Sequence, residues 1–473
     1  MSFAVIPSWP NNFQIGQEDK QLNALIQQVQ SQTEPFLVLP TYLPKWQSMR
    51  RQLGLVDVPY WSAFDALQKV SVKEKRPLQL EDLTWPKDAQ FVRMFDRIIV
   101  LSGTTIYGTV FFTYPKADQI DRIDLLKKGK LSQQLTVDDR GFISRVLNYK
   151  DGQLTKASYL SQSGAVVAEQ DCLTGQVQAI LPDGRKVSYS QMIDLVQELT
   201  VAYLKAHHQG EALVANSELN YRIAQQVSFN RLFLWAGQED AADLQDSWRS
   251  VSTDVQILQS QVSSVSGDDA DSGVLIAPYP VHPKELVQRK NQTVLYIKVG
   301  DLDSSKQATL MDQAVKLFNQ DENRTVIFEG ATVPATFPAR LEQALSEQLV
   351  DLHLDEQLLT EAKAHFVFLG EQSVKSRLQY LATSSLYVDL SKQPDLEVLA
   401  TTVALGLPTF TAVKTAYSLL DGFDSVEPEE LSDKVTNLLT AEGWQQAQEQ
   451  LIQQQAGLAI AALNQQWQER LKK

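Results

Sequence analysis

The residues that could bind a metal ion or carry out catalysis are few in this chain of 473 amino acids. Asp301 and Asp303 place two carboxylates close together, and carboxylate oxygens are ligands that Mg²⁺ accepts. His207 and His208 are neighbours, so on a helix they point about 100° apart and cannot form an i, i+4 pair of metal ligands. The sequence contains no G-x-S-x-G, G-x-G-x-x-G or P-loop motif. We therefore predict no metal site and no catalytic residue, and we interpret Asp301–Asp303 as a solvated loop.

Two other positions could contact a ligand or a partner protein. Asp138, Asp139 and Arg140 form a polar cluster that could dock a protein or a glycan. The simpler interpretation is a hairpin turn closed by an Asp–Arg ion pair. Trp9 lies in the first loop, where an aromatic ring could line a sugar site or pack beneath the loop. Cys172 is the only cysteine, so an internal disulfide is excluded, and we expect it to pack within the protein.

Composition limits the classes of function that fit this chain. The hydrophobic fraction of 43% is that of a globular protein with proper cores. With 43 basic and 57 acidic residues the net charge is −14, which repels nucleic acid and anionic lipid. The start, MSFAVIPSWPNNF, lacks the basic segment of a secretory signal, and no apolar run reaches the ~18 residues of a membrane helix. We therefore expect a cytoplasmic protein that binds no nucleic acid and is at most peripheral to a membrane.

The hydrophobic pattern predicts three kinds of structure along the chain. Phe3–Ile6 and Phe36–Leu39 are strand-like and flank a helical stretch at 18–31, as at the start of a parallel α/β domain. From about residue 91 to 181, short β-type segments alternate with hairpin-type turns such as Asp-Gly, which predicts an antiparallel sheet. Strand and helix patterns alternate again after residue 274.

These patterns predict an α/β fold of the GT-B type, with two Rossmann-like domains, an inserted antiparallel β-sheet domain and a C-terminal crossing helix. Residues 259–273 are small, polar and acidic, which predicts a linker, and 443–473 read as one long amphipathic helix. We expect that the protein core would still fold without the inserted sheet. The predicted domains are 1–90 plus 182–273 (N-terminal Rossmann-like), 91–181 (inserted sheet), 274–425 (C-terminal Rossmann-like) and 426–473 (C-terminal helices).

Four segments resemble the accessory Sec system protein family, specifically the first of its three Asp components. They are FAVIPSW at 3–9, SAFDALQ at 62–68, DLTWP at 82–86 and VDDRGFIS at 137–144, and the resemblance covers roughly residues 1–200. It implies a GT-B-like fold whose inserted sheet is shared with the adhesin glycosyltransferases. It also implies that the chain works with the two other Asp components and the accessory SecA motor in exporting a serine-rich repeat glycoprotein.

The positions that bind a nucleotide-sugar in retaining GT-B enzymes are altered in this chain. Such enzymes hold the diphosphate with an Arg and a Lys, five residues apart, just after the first strand of the second domain. Lys306 stands at the lysine position, but Asp301 stands at the arginine position. An acidic side chain facing a diphosphate replaces an attraction with a repulsion.

The sugar-binding glutamates of these enzymes are also missing. They lie eight residues apart, before a small-x-Gly-x-Pro turn that survives here around Gly406. Counted back from this glycine, the two positions hold Gln393 and Thr401, which are neutral. Asp389 and Glu397 have the same mutual spacing but lie four residues too early. A shifted register of the chain would bring these two acids into the site.

The preferred hypothesis is therefore a non-catalytic, glycosyltransferase-like component of accessory Sec export that needs no cofactor. The alternative is an active or co-active GT-B glycosyltransferase subunit that modifies the adhesin, and a third option is an unrelated sugar-nucleotide enzyme. An arginine at 301 and glutamates at 393 and 401 would have favoured an enzyme.

Overall fold

The computed structural model describes residues 3–10, 16–70, 76–113, 119–207, 210–237, 239, 244, 247–252, 254–262, 273–288, 292–349, 356–420 and 425–472. The chain divides into two compact units. The first consists of Met1–Asn23, Thr33–Trp235 and Ser247–Gln256, and the second of Ala24–Gln32, Ala236–Asp246 and Ile257–Lys473.

A parallel α/β layer begins the chain. Its buried strands are apolar on both faces, as strands covered by helices on both sides must be. Five of them run parallel in the order β3-β2-β1-β14-β15, so the strand order reverses between β1 and β14. The elements are β1 (Phe3–Ile6), α1 (Gln17–Gln30), β2 (Pro35–Leu39), α2 (Trp46–Gln52), β3 (Tyr60–Ser62) and α3 (Ala63–Leu67), then α4 (Met192–His207), β14 (Glu211–Ala215), α5 (Glu218–Ala224) and β15 (Arg231–Gly237).

Ten antiparallel strands, each beside its neighbour in sequence, are inserted between α3 and α4. Lys128 and Asp151 have φ near +50° and each precedes a positive-φ glycine, which is the type I′ turn that suits two-residue hairpins. The sheet extends past the expected limits of 91 and 181. Its strands are β4 (Ala89–Arg93), β5 (Arg97–Ser102), β6 (Thr105–Phe112), β7 (Ile120–Lys127), β8 (Lys130–Asp138), β9 (Phe142–Lys150), β10 (Gln153–Leu160), β11 (Val166–Asp171), β12 (Val177–Ile180) and β13 (Lys186–Tyr189).

The inserted sheet shares a hydrophobic core with the α/β layer of its unit. Ala157 and Tyr159 of β10 belong to the same buried cluster as Phe64 of α3 and Leu195 of α4. A second cluster, under β5 to β8, is covered by the segment around Trp85. Removing the sheet would therefore expose the buried faces of α3 and α4. That the core folds without the sheet stays a prediction.

The second unit contains a five-stranded parallel sheet in the order β21-β20-β19-β22-β23. This is again a doubly wound order, with its reversal between β19 and β22. The remaining elements of the chain, of which β16 and β18 belong to the same sheet as β1, are β16 (Val255–Gln259), β17 (Gln261–Val262), β18 (Val274–Leu275), β19 (Val294–Lys298), α6 (Ser304–Gln320), β20 (Thr325–Glu329), α7 (Val333–Leu349), α8 (Glu356–Ala364), β21 (Phe366–Leu369), α9 (Val374–Leu381), β22 (Leu386–Asp389), α10 (Leu396–Ala404), β23 (Thr409–Thr411), β24 (Lys414–Thr415), α11 (Leu431–Leu438), α12 (Ala441–Gln455) and α13 (Ile460–Lys472).

Two predicted connections differ from the observed structure. Residues 259–262 belong to β16 and β17 rather than to a linker, and 263–272 lie outside the described residues. The chain end forms two helices rather than one, because Ala456–Leu458 is a short 3-10 turn and Ala459 is extended. None of the helices in the described part of the chain has the length and apolar character that crossing a bilayer requires.

Candidate functional site

The reversal between β19 and β22 is where an open α/β sheet of this kind binds its ligand, outside the carboxyl ends of the strands. The chain leaves β19 through Gly300, whose φ is +64°. A Cβ atom on this glycine would lie 2.6 Å from the Cα of Ser391, which follows β22. The two loops therefore touch through their backbones, and no ligand fits between them at this point.

The predicted diphosphate positions are occupied by contacts within the chain. Asp301 is exposed, while the Asp303 carboxylate accepts the Lys306 backbone N–H (2.9 Å) and caps α6. The Lys306 ammonium donates to the Glu427 carboxylate over 2.6 Å. This hydrogen bond and the charge of Glu427 raise the pKa of Lys306. The lysine that would hold a diphosphate is thus already paired with an acid.

The two sugar-binding positions carry no charge in the structure. Gln393 is exposed just before α10, and the Thr401 hydroxyl donates to the Glu397 carbonyl one turn earlier in that helix. Asp389, the first acid of the shifted pair, is completely buried and accepts hydrogen bonds from the Tyr387 hydroxyl (2.9 Å) and the Ser391 N–H (3.0 Å). Glu397 is exposed in the first turn of α10.

A buried ion pair that sequence reasoning missed fills the end of β20. Arg377 of α9 donates to both oxygens of Glu329, over 2.8 and 2.5 Å, and Glu329 is completely buried. The same carboxylate accepts the Tyr296 hydroxyl (2.7 Å) and the Gln372 N–H (2.9 Å). Arg377 also contacts Asp395, the N-cap of α10, over 3.4 Å. The one signal in the sequence is an acid that ends an otherwise apolar strand, TVIFE.

The charges of this pair are fixed by their contacts. Burial alone would raise the pKa of Glu329, but the hydrogen bonds from Arg377, Gln372 and Tyr296 outweigh burial and lower it. Burial opposes the charge of Arg377, yet Glu329 and the neighbouring anionic groups raise its pKa. The pair is therefore ionised and internally satisfied, with a buried carboxylate that is unavailable as a catalytic base.

The polar cluster of the inserted sheet is also buried. The Arg140 side chain is 4% exposed and binds Asp138 over 2.7 Å and Asp65 of α3 over 2.6 Å. A turn at residues 139–141 joins β8 to β9, so the hairpin interpretation describes the geometry. A cleft of about 1100 Å³ lies beside this cluster, between α2, α3 and the loop before β3, and it includes Arg50, Lys69 and Arg140.

Asp139 has a different role from its two neighbours. Its carboxylate accepts the Ser48 N–H over 2.7 Å, near the start of α2, where the residue at the N-cap position, Lys45, makes no side-chain cap. Burial and the nearby charge of Asp138 raise the pKa of Asp139 to about 6. Trp9 is buried and its ring stacks on Trp46 at 5.6 Å, so it packs beneath the loop.

The cysteine and the histidine pair considered in the sequence analysis lie outside the two polar clusters described above. Cys172 is half-buried in the inserted sheet, and His207 ends α4, while His208 lies outside the described residues. Among the residues that the structure describes, no cluster of three or more His, Cys, Asp or Glu side chains could hold a metal ion.

Two doubly wound sheets with an inserted antiparallel sheet define a protein of the GT-B glycosyltransferase fold. The pneumococcal O-GlcNAc transferase GtfA, solved with UDP and GlcNAc, superimposes with a TM-score of 0.65 and 11% identity, over 100% of this chain and 98% of that chain. Within the structure of accessory secretory proteins 1, 2 and 3 in Streptococcus pneumoniae, one chain superimposes with a TM-score of 0.66 and 19% identity, over 100% of this chain and 99% of its own.

Sequence comparison identifies the family. Residues 6–258 match the family model of the accessory Sec system protein that is the first Asp component, so this chain belongs to that family. A stretch of 128 residues is 31% identical to the accessory Sec system protein of the same kind from Streptococcus gordonii. The match covers 27% of this chain and 24% of that protein, about a quarter of the relative's length.

Proposed function

We propose that this chain is a non-catalytic, glycosyltransferase-like component of accessory Sec export. In the cytoplasm it works with the two other Asp components and the accessory SecA motor to transport a serine-rich repeat glycoprotein adhesin. Membership of the accessory Sec family supports the export role. The likeness to a chain in the pneumococcal structure of accessory secretory proteins 1, 2 and 3 supports a role within a complex.

The observation that carries the non-catalytic role is the pairing of Lys306 with Glu427. A diphosphate would have to displace this acid while Asp301 stands where an arginine is needed. Gln393 and Thr401 add no charge that could hold the ribose or the sugar. Each lost charge-assisted hydrogen bond costs about 1.5–3 kcal/mol, so three such defects weaken a micromolar site to millimolar or worse.

Isothermal titration calorimetry with UDP-N-acetylglucosamine tests this role. We expect no binding tighter than about 100 μM, which is about −5.5 kcal/mol, and no transfer of the sugar to the adhesin. Lys306→Ala should leave adhesin export unchanged, because no ligand depends on that ammonium. Lys316→Ala is a matched control, since Lys316 also lies on α6 and pairs with an acid, Asp433, over 3.1 Å.

The opposite result would identify an enzyme. If wild-type protein binds the nucleotide-sugar more tightly than about 100 μM, and Lys306→Ala loses that binding while Lys316→Ala keeps it, the site is functional. The chain would then be the active or co-active transferase subunit.

A further inference from the structure

The cleft beside the Arg140 cluster is cationic in an otherwise acidic chain. It has a volume of about 1100 Å³ and is lined by α2, the loop before β3, β3 itself and α3. Its charged lining side chains are four cations and two acids, namely Arg50, Arg51, Lys69, Arg140, Asp57 and Asp65. Because the chain has a net charge of −14, most of its surface repels anions, whereas this cleft attracts them.

Two of the arginines in this cleft differ in how far their hydrogen bonds are used. Arg140 donates to both oxygens of Asp65, over 2.6 and 2.8 Å, and also binds Asp138. The Arg50 guanidinium has five N–H donors, yet among the residues that the structure describes it donates to one acceptor, the Val56 carbonyl. Arg50 therefore has donors to spare.

The Tyr60 hydroxyl adds a donor from β3. Its oxygen accepts the side-chain N–H of Gln47 over 3.1 Å, and its own proton has no acceptor within the described parts of the chain. Burial and the nearby charge of Asp65 raise the pKa of Tyr60, so the phenol keeps this proton at neutral pH. The Arg50 guanidinium lies over the Tyr60 ring at 5.2 Å, which places the two donors side by side.

Lys69 supplies a third donor, from a backbone conformation that lysine rarely adopts. Its φ is +54°, just past the end of α3, where the Val70 N–H donates to the Asp65 carbonyl over 2.9 Å. Glycine is the usual residue at this position of a helix end, because the left-handed conformation crowds a Cβ atom. Lys69 is exposed and pairs with no acid that the structure describes. Strain of this kind at the rim of a cleft indicates a use for the lysine charge.

We propose that this cleft binds the phosphate monoester of a small molecule, with Arg50, Tyr60 and Lys69 donating to the phosphate oxygens. Such a group carries about two negative charges near neutral pH and three terminal acceptor oxygens, which suits donors that come from three different elements. A carboxylate offers two oxygens in one plane. The cleft is larger than a phosphate ion and leaves room for an attached group the size of a sugar.

The site lies wholly in the first unit, whereas the altered nucleotide-sugar positions lie in the second. Phosphate binding therefore goes beyond the proposed function, and neither depends on the other.

Isothermal titration calorimetry of the full-length protein with glucose 6-phosphate tests the site, and glucose is the probe that lacks the phosphate. We expect a dissociation constant below about 1 mM for glucose 6-phosphate and no binding of glucose. Lys69→Gly should weaken the binding roughly tenfold, because a charge-assisted hydrogen bond is lost. The same change should leave the fold intact in urea denaturation, since glycine adopts a positive φ without strain.

Lys128→Gly is the matched control for Lys69→Gly. Lys128 is also exposed and has a φ of +52°, but it lies in the turn between β7 and β8 and does not line the cleft. This variant should bind glucose 6-phosphate like wild type, as should Lys306→Ala in the second unit. Tyr60→Phe keeps the ring beneath Arg50 and removes the hydroxyl, so it should weaken the binding severalfold.

A phospholipid headgroup is a second source of the same chemistry. Vesicles of phosphatidylcholine with phosphatidic acid carry a phosphate monoester on a surface, and we expect them not to displace glucose 6-phosphate. Displacement by these vesicles would assign the cleft to a lipid headgroup and overturn the small-molecule proposal. Failure of wild type to bind glucose 6-phosphate would overturn it as well. Equal affinities for wild type, Lys69→Gly and Tyr60→Phe would show that the phosphate binds elsewhere.

Discussion

Two buried arginines, one in each unit, are each held by two carboxylates, yet they connect different parts of the fold. Arg140 joins Asp138, two residues before it, to Asp65, which lies 75 residues away on α3. It therefore ties the inserted sheet to the α/β layer. Arg377 joins Glu329 to Asp395 at the carboxyl end of one parallel sheet. The first arginine holds two substructures together, whereas the second lies within one parallel sheet, at the carboxyl end of β20.

The two pairs differ in what remains if the arginine is removed. Glu329 would keep hydrogen bonds from the Tyr296 hydroxyl and the Gln372 N–H. Asp138 would keep one, from the backbone N–H of residue 140. A buried carboxylate without its partner is costly in proportion to the hydrogen bonds that it lacks. Removing the arginine should therefore lower the free energy of unfolding by different amounts in the two units.

The largest effect is expected for Arg140→Met, which keeps the volume of the side chain but leaves Asp138 buried without a counter-charge. We expect the free energy of unfolding to fall by about 4 kcal/mol, measured by urea denaturation at pH 7. Lys156→Met is the control, because the Lys156–Glu169 pair is exposed and should change stability by less than about 1 kcal/mol. A loss below about 1 kcal/mol for Arg140→Met would show that the cluster does not tie the sheet to the α/β layer.

Arg377→Met should cost less, about 3 kcal/mol, since Glu329 retains two hydrogen bonds. The measurement is the same urea denaturation, and the informative quantity is the difference between the two variants. A greater loss for Arg377→Met than for Arg140→Met would contradict the ranking by remaining hydrogen bonds. Nucleotide-sugar binding should stay absent in this variant, because the pair is structural.

The third effect, at most as large as that of Arg377→Met and opposite in sign, concerns Asp139, whose pKa rises from 3.8 to about 6 on folding. Below about pH 4 its carboxyl is protonated in both states, and above about pH 6 it is ionised in both. Between these values the folded state binds the proton more tightly, so the stability contributed by this group is lost as pH rises. Asp139→Asn should therefore gain stability relative to wild type by up to about 3 kcal/mol between pH 4 and 7.

The control for Asp139→Asn has the opposite sign. Hydrogen bonds from Arg185 lower the pKa of the exposed Asp183, so the stability that its carboxylate contributes is present at neutral pH and is lost as the pH falls through the folded-state pKa. Asp183→Asn should therefore be slightly less stable than wild type at neutral pH, and this deficit should disappear at acid pH. Urea denaturation at several pH values measures both variants. Parallel pH profiles for Asp139→Asn and wild type would show that the buried carboxyl does not titrate in this range.

The sequence predicted those features that depend on residues close together along the chain. The strand at Phe3–Ile6, the hairpin turns of the inserted sheet and the Asp–Arg pair at 138–140 each follow from a few neighbouring residues. The missing half of the Arg140 cluster, Asp65, depends on a contact across 75 residues that no local pattern encodes. The Glu329–Arg377 pair was missed for the same reason, since 48 residues separate its members.

In the candidate site, too, contacts between residues far apart in the sequence could not be predicted. The altered residues at 301, 393 and 401 could be found by position, since motif spacing is a property of the sequence. The ion pair between Glu427 and Lys306 could not be predicted from the sequence, because these residues are 121 positions apart. The division of the tail into two helices was also unforeseen, since its apolar residues continue the helical period through Ala456–Leu458.

The contact between Gln28 and Trp467 has a consequence for how the protein is made. The Trp467 indole donates to the Gln28 side chain over 2.9 Å across 439 residues, and Gln28 also donates to the carbonyls of Ala277 and Pro278. All these residues belong to the second unit. A ribosome adds about 5–20 residues per second, so the Gln28 segment waits roughly 20 to 90 s for its last partner. The second unit therefore cannot complete these contacts until Trp467 has been synthesised and has left the ribosome, so the Gln28 segment lacks them while the intervening residues are translated.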